Sequence, residues 1–109
     1  MIIALVGGEG CGATTAAEYL RDKYALKILS PDDLLKNDLD RQRWRYVVDK
    51  VSRRDELESA RAARAALWLI RRGGVPEPEW FSEIRIILEN RGTKKEFLRR
   101  IDEKLWGCC

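Results

Sequence analysis

Nine residues near the start of the chain, Gly7 to Thr15, constrain the fold more than any other segment. They include four glycines and follow a short apolar run, Ile2 to Val6. A continuous apolar run of this length is typical of a parallel-sheet strand that is buried on both faces. From Ala13 to Tyr24 the apolar residues recur every three or four positions, as on one face of an amphipathic helix. The sequence therefore predicts a buried strand that turns, through glycine-rich backbone, into a helix.

The spacing within this turn is that of a phosphate-binding loop, or P-loop. The pattern is Gly-x4-Gly-Lys-Ser/Thr between a strand and a helix, and Gly7, Gly12 and Thr14 occupy three of its defining positions. Glycines let successive backbone N–H groups point inward, where they and the helix N-terminus attract phosphate. We expect the hydroxyl of Thr14 or Thr15 to reach Mg²⁺ or a phosphate oxygen. The predicted binding residues are Gly7, Gly8, Gly10, Cys11, Gly12, Ala13, Thr14 and Thr15.

The lysine of this pattern is absent, because Ala13 stands in its place. In P-loop enzymes that lysine pairs with the terminal phosphates and stabilises the charge that develops during transfer. Backbone N–H groups alone still bind phosphate, so we expect nucleotide or phosphate binding with weak or no phosphoryl transfer, unless another cation replaces the lysine. The alternative is a glycine-rich turn that serves only the fold.

The following residues extend the strand and helix into a β-α-β unit. Leu26 to Leu29 form a second short apolar run, and Ser30-Pro31-Asp32-Asp33 has the composition of a helix start, with a capping Ser and a Pro at the first helical position. Residues 1–36 are thus predicted to form a β-α-β unit with parallel strands. The predicted fold class is α/β, a reduced P-loop NTPase-like fold with a short parallel sheet and a helix-rich C-terminal half.

Residues 2–36 resemble the beginning of nucleoside monophosphate kinases, adenylate kinase in particular, with deoxynucleoside monophosphate kinases and dephospho-coenzyme A kinase as close alternatives. Besides the loop, the segment from Leu29 to Lys36 is similar to the Ile-Ser-Thr-Gly-Asp-Leu-Leu-Arg segment of that family. The resemblance implies that ATP or another nucleotide binds with Mg²⁺, and that Asp33 and Lys36 flank an acceptor pocket. The family holds its acceptor with the Thr and Arg of that segment. Pro31 and Lys36 stand there in this chain, so the acceptor site is altered as well as the donor site.

Residues 37–109 are predicted to be largely helical, because their apolar positions recur at three and four. Ile84 to Leu88 are rich in β-branched residues and could form a strand, but helical spacing back to Trp80 favours a helix. Tyr46 to Asp49 imitate an apolar strand that ends in a metal-binding Asp, yet the helical spacing of their neighbours argues against that role. With only two predicted strands, the chain looks like an incomplete kinase. The predicted helices cover residues 39–51, 52–72, 79–90 and 94–106.

The distribution of charge and the predicted C-terminal helices bear on alternative functions. Residues 37–74 hold ten basic and six acidic residues, a net charge of +4, which indicates either an ion-paired surface or a patch that faces phosphate. The predicted helices 79–90 and 94–106, joined at Gly92, could form a helix-turn-helix, so DNA binding is an alternative, although their balanced charge disfavours it. A regulatory or interaction protein that keeps only the fold is the other alternative.

Composition limits the remaining chemistry. The chain of 109 residues has no histidine and three cysteines, two of them the adjacent Cys108 and Cys109, a set that suits neither a zinc site nor a disulfide framework. Cys11, at a helix start, could have a lowered thiol pKa, but a small residue tolerated in the loop is the favoured interpretation. No apolar run is long enough for a membrane span. We expect a single cytoplasmic domain whose sheet edge is covered by its own helices or by a second copy in a homodimer.

Overall fold

Five parallel strands form one sheet in the order β2-β3-β1-β4-β5. The computed structural model describes residues 1–35 and 43–107. The α/β fold class and the β-α-β start are confirmed. The prediction of a helix-rich C-terminal half is wrong in part, because three of the five strands lie there. The strands are β1 Ile2–Val6, β2 Lys27–Leu29, β3 Tyr46–Val51, β4 Ala66–Arg71 and β5 Ile86–Glu89. The helices are α1 Ala13–Tyr24, α2 Arg54–Ala62 and α3 Lys94–Gly107, with 3-10 turns at Pro31–Leu35 and Glu79–Glu83.

The sheet lies between two apolar layers. Ile3 and Leu5 of β1 face a core built with α1 and α3, whereas Ile2, Ala4 and Val6 face a core built with α2 and the two 3-10 turns. Every residue of β1 is buried as a result. A central parallel strand covered on both faces has no polar side, which is why its sequence is a continuous apolar run.

Strand β3 replaces the helix predicted over residues 39–51, as far as that segment is described. Its register against β1 shifts: Ala4 pairs with Val48, but Val6 pairs with Val51. Three steps along β3 therefore match two along β1, and this β-bulge keeps Val48 and Val51 on the same face. A spacing of three within a strand buried on both sides imitates a helical repeat, so the helix prediction was wrong.

The long helix predicted over 52–72 is also wrong in its second half. Helix α2 ends at Ala62, and β4 begins four residues later. Arg64 has a positive φ of 59°, and the N–H of Ala65 donates to the Ala60 carbonyl at 3.0 Å. This is the left-handed helix ending that glycine usually provides. Because arginine takes the position, the sequence carries no visible stop signal.

The helix predicted over 79–90 does not form. A 3-10 turn and β5 occupy this segment, so the strand alternative for Ile84 to Leu88 was the better one. The helix-turn-helix that the DNA-binding alternative required is therefore not built by these residues. Helix 94–106 is confirmed by α3, and Thr93 Oγ1 caps it by accepting from the N–H of Glu96 at 3.1 Å.

The expectation of an incomplete sheet is corrected by these strands, because β3, β4 and β5 extend the predicted pair to five. Lys36, which was predicted to flank an acceptor pocket, lies outside the described residues, and so do Cys108 and Cys109. Within the described part of the chain, none of the helices is long and apolar enough to span a membrane.

Candidate phosphate site at the carboxyl edge of the sheet

The glycine-rich loop leaves the carboxyl end of β1, at the centre of the sheet. After β1 the chain passes to α1 on one face, and after the neighbouring β3 it passes to α2 on the other face. The two connections part at this point and leave a crevice between the strand ends. Open parallel sheets bind their ligands in crevices of this kind.

The loop backbone needs its glycines. Gly10 and Gly12 have φ values of 81° and 102°, in the left-handed region that glycine adopts without strain. A Cβ on Gly7 would collide with the Cys11 sulfur, so only glycine fits there. The N–H of Cys11 donates to the Gly8 carbonyl at 3.2 Å and closes the turn.

Helix α1 starts directly after Gly12, with no side chain capping its N-terminus. The first N–H groups of a helix have no partner within the helix, so they are satisfied by caps, water or a ligand. Here the helix end and the loop lie together at the crevice. Together with the positive end of the helix dipole, these N–H groups can hold an anion such as phosphate.

Two side chains from neighbouring strand ends orient the loop peptides. Arg72, just after β4, donates from Nη1 to the Gly10 carbonyl at 3.1 Å. Asn90, just after β5, donates from Nδ2 to the Cys11 carbonyl at 2.7 Å. Both loop carbonyls are thereby held by side chains of the protein, and the peptide orientation is set before any ligand arrives. The sequence analysis included Arg72 only as part of the basic segment 37–74, and it gave Asn90 no role at the site.

Thr14 and Asp49 form the most informative pair of the site. Thr14 Oγ1 lies 3.3 Å from both carboxylate oxygens of Asp49. The sequence-based argument against Asp49 fails, because it depended on a helix where β3 lies. P-loop NTPases hold Mg²⁺ with a loop Ser or Thr and an Asp from a neighbouring strand, and this arrangement matches that pair. Thr15 lies at the same cavity, but Asp49 is hydrogen-bonded to Thr14.

A surface cavity of about 450 Å³ opens above the loop. Besides the loop and the two threonines, Lys50 and Arg72 line it. Ala13 also borders this cavity, although its side chain is almost fully buried in the core layer that contains α1. The cavity is therefore bounded by N–H groups, hydroxyls, two cations and the exposed side chain of Glu9.

Five other arginines of the basic segment 37–74 do not line this cavity. Arg45 borders a pocket with Met1 and Tyr24, at the amino edge of the sheet and thus opposite the loop. Four more arginines form ion pairs, in agreement with the interpretation of this segment as an ion-paired surface: Arg53 pairs with Asp55 and Glu56, Arg54 with Glu58 and Glu83, Arg61 with Glu58 and Glu83, and Arg71 with Glu77.

Two other residues that the sequence analysis considered, Cys11 and Asp33, make contacts within the protein. Cys11 is buried, and burial raises the pKa of its thiol more than the nearby backbone hydrogen bonds and the charge of Lys50 lower it. A reactive thiolate is therefore not supported. Asp33 accepts hydrogen bonds from the N–H and hydroxyl of Ser30, at 2.9 and 3.1 Å, and so stabilises its own 3-10 turn.

Comparison with solved structures shows that this is the fold of P-loop kinases. A shikimate kinase from Aquifex aeolicus VF5 superposes with a TM-score of 0.66 at 13% identity, over 99% of this chain and 98% of that one. A sugar kinase from Janibacter sp. HTCC2649 superposes with a TM-score of 0.62 at 14% identity, over 95% of this chain and 93% of the other. No protein-family model and no curated protein sequence matches the chain. At these identities the likeness concerns the fold, so the activity is argued from the site's own residues.

Proposed function

We propose that the protein binds the phosphates of a nucleotide, with Mg²⁺, in the cavity above the P-loop. The observation that carries the proposal is the contact between Thr14 and Asp49 beside an uncapped helix N-terminus. The loop has a threonine at the hydroxyl position of the P-loop pattern, and the neighbouring strand presents a carboxylate to it. A turn that served only the fold has no need of this juxtaposition.

Magnesium fits the residues that are present. It prefers oxygen ligands and usually combines one or two carboxylates with substrate phosphates and water. Thr14 and Asp49 would hold it, and phosphate oxygens and water would fill the other positions. When bound, the ion would neutralise phosphate charge. Among residues 1–35 and 43–107 no group of three or more His, Cys, Asp or Glu side chains is placed to hold a metal ion.

Weak or no phosphoryl transfer is the expected activity unless another cation replaces the lysine, because Ala13 stands where the P-loop pattern places that lysine against the terminal phosphates. The family resemblance suggests a nucleoside monophosphate kinase-like protein. The competing proposal is a regulatory or interaction protein that keeps the fold without binding nucleotide, and Ala13 is the observation that favours it.

Calorimetry and thermal shift with ATP, GTP and nucleoside monophosphates, at several Mg²⁺ concentrations, separate the two proposals. We expect binding of a nucleoside triphosphate that tightens with Mg²⁺. Asp49→Asn should abolish most of that Mg²⁺-dependent gain and leave Mg²⁺-free binding nearly intact. The matched control is Asp22→Asn, which removes an exposed carboxylate on α1, remote from the loop, and should change neither. The absence of both heat and thermal shift at millimolar nucleotide would contradict the proposal and favour the regulatory protein.

A further inference from the structure

We infer that Lys50 supplies the phosphate-binding ammonium that Ala13 removed from the loop. The inference rests on the proposed nucleotide binding and deepens it, because it names the cation that faces the phosphates. The charge would come from the neighbouring strand β3 instead of from the first turn of α1. The cavity that holds both Ala13 and Lys50 brings the vacated position and the replacement cation together.

The β-bulge explains how Lys50 reaches the loop. In a regular strand, consecutive side chains point to opposite faces, so Asp49 and Lys50 would face different layers. The register shift between Val48 and Val51 places both residues opposite the single Leu5 of β1. Asp49 contacts Thr14, and Lys50 lines the same cavity. Bulges beside active sites commonly redirect a side chain in this way.

The backbone at Lys50 is unfavourable for a lysine. Its φ is 56°, in the left-handed region where a residue with a Cβ is less stable than glycine. A glycine at this bulge would serve the fold better. The lysine is therefore costly for folding at the position where its side chain reaches the cavity, and strained backbone of this kind concentrates at functional sites.

Lys50 and Arg72 have different roles. The guanidinium of Arg72 donates to the Gly10 carbonyl, so it positions the loop. Within residues 1–35 and 43–107 the Lys50 ammonium makes no hydrogen bond or ion pair, so no side chain of that part of the chain competes with a ligand for its three donors. Its charge acts on the buried Cys11 thiol and lowers that pKa against the larger effect of burial, which agrees with an ammonium close to the loop.

The test compares ATP and AMP binding by the wild-type chain, Lys50→Gly and Lys50→Asn. Both substitutions suit a left-handed backbone and remove the charge, so the fold is kept. We expect ATP affinity to fall about 10- to 100-fold, the range of one charge-assisted hydrogen bond. AMP affinity should fall less, because the P-loop lysine contacts the terminal phosphates. The midpoint of thermal unfolding of Lys50→Gly should rise, because strain is released.

Two further variants serve as controls. Arg64→Gly releases the same left-handed strain at the end of α2, away from the cavity, and should raise thermal stability without changing nucleotide affinity. Ala13→Lys in the Lys50→Gly background returns the ammonium to the usual P-loop position and should restore ATP affinity.

The outcomes are distinguishable. If wild-type protein binds ATP and both Lys50 variants bind it equally well, Lys50 has no such role, while the proposed nucleotide binding stands. If ATP and AMP affinities fall by the same factor, Lys50 does not contact the terminal phosphates and the inference is overturned. If wild-type protein binds neither ligand, the proposed function fails and the inference with it.

Discussion

Replacing Asp102 by asparagine should destabilise the protein in a pH-dependent way. Asp102 of α3 accepts hydrogen bonds from Tyr24 Oη at 2.5 Å, Tyr19 Oη at 2.8 Å and Lys23 Nζ at 3.0 Å. All three donors belong to α1, so one carboxylate fastens α1 to α3. Asparagine has nearly the same shape but no charge, and its amide nitrogen cannot accept.

The magnitude follows from the two tyrosine hydrogen bonds. A hydrogen bond to a charged group contributes about 1.5–3 kcal/mol when it is shielded from water. The Asp102 side chain is 23% exposed, so the lower end of that range applies. Asparagine keeps one acceptor, and we expect a loss of about 2 kcal/mol, or about 10 °C in the unfolding midpoint of a domain of this size. The half-exposed Lys23 is omitted from this sum, because water screens its ion pair.

The pH dependence has a definite sign. Burial by itself raises the pKa of Asp102, but the hydrogen bonds from Tyr24, Tyr19 and Lys23 outweigh it, and the pKa lies below its ordinary value of 3.8. A carboxyl with a lowered folded-state pKa contributes fully above its ordinary value, and the contribution is lost as the pH falls through the folded-state pKa. The difference between wild type and Asp102→Asn should therefore be constant near neutral pH and shrink below 3.8.

Urea unfolding of both proteins from pH 7 down to pH 2.5 measures this difference. Asp22→Asn is the control, because Asp22 pairs only with its exposed neighbour Arg21, among the described residues, and should change stability little. The reasoning is refuted if Asp102→Asn loses no more stability than Asp22→Asn at pH 7, or if its loss is the same at pH 2.5 as at pH 7.

Three shorter predictions follow from other contacts. Ala25 ends α1 with a φ of 59°, so Ala25→Gly should stabilise the protein by about 0.5–1 kcal/mol, and a lower urea midpoint for the variant would contradict this. Asn90→Ala, which frees the Cys11 carbonyl, should weaken ATP binding several-fold and cost about 1 kcal/mol in the free energy of unfolding, whereas unchanged calorimetric affinity would show that the loop needs no such support. With Cys108 and Cys109 replaced by serine, the buried Cys11 should react with a disulfide reagent only as fast as the protein opens, so rapid labelling of the folded protein would refute its burial.

The elements that were predicted correctly have local signals. Strand β1 is a continuous apolar run, the loop is rich in glycine, and α1 repeats every three or four residues, so a short window of sequence defines each of them. The start of α3 is local in the same way, because the Thr93 hydroxyl accepts from the N–H of Glu96 three residues later. Each of these features depends on neighbours within one turn of helix or one strand.

The elements that were missed have signals that imitate something else. The bulge in β3 places two buried valines three positions apart, a spacing that is typical of a helix. Helix α2 is followed by Arg64 in the left-handed conformation, where a glycine would have signalled the end of the helix in the sequence. A strand buried on both faces cannot be distinguished from a buried helix by periodicity alone. The partner strands make the distinction, and they lie elsewhere in the sequence.

By itself the sequence determined the phosphate-loop pattern, the threonine at its end and the missing lysine, because these residues are consecutive. The tertiary structure decided what surrounds them. Asp49 and Lys50 come from β3, Arg72 from the end of β4 and Asn90 from the end of β5. A parallel sheet brings the carboxyl ends of its strands to one edge, and the strand order and the bulge select which side chains meet there. Those are properties of long-range hydrogen bonding and packing, which no local window of the sequence contains.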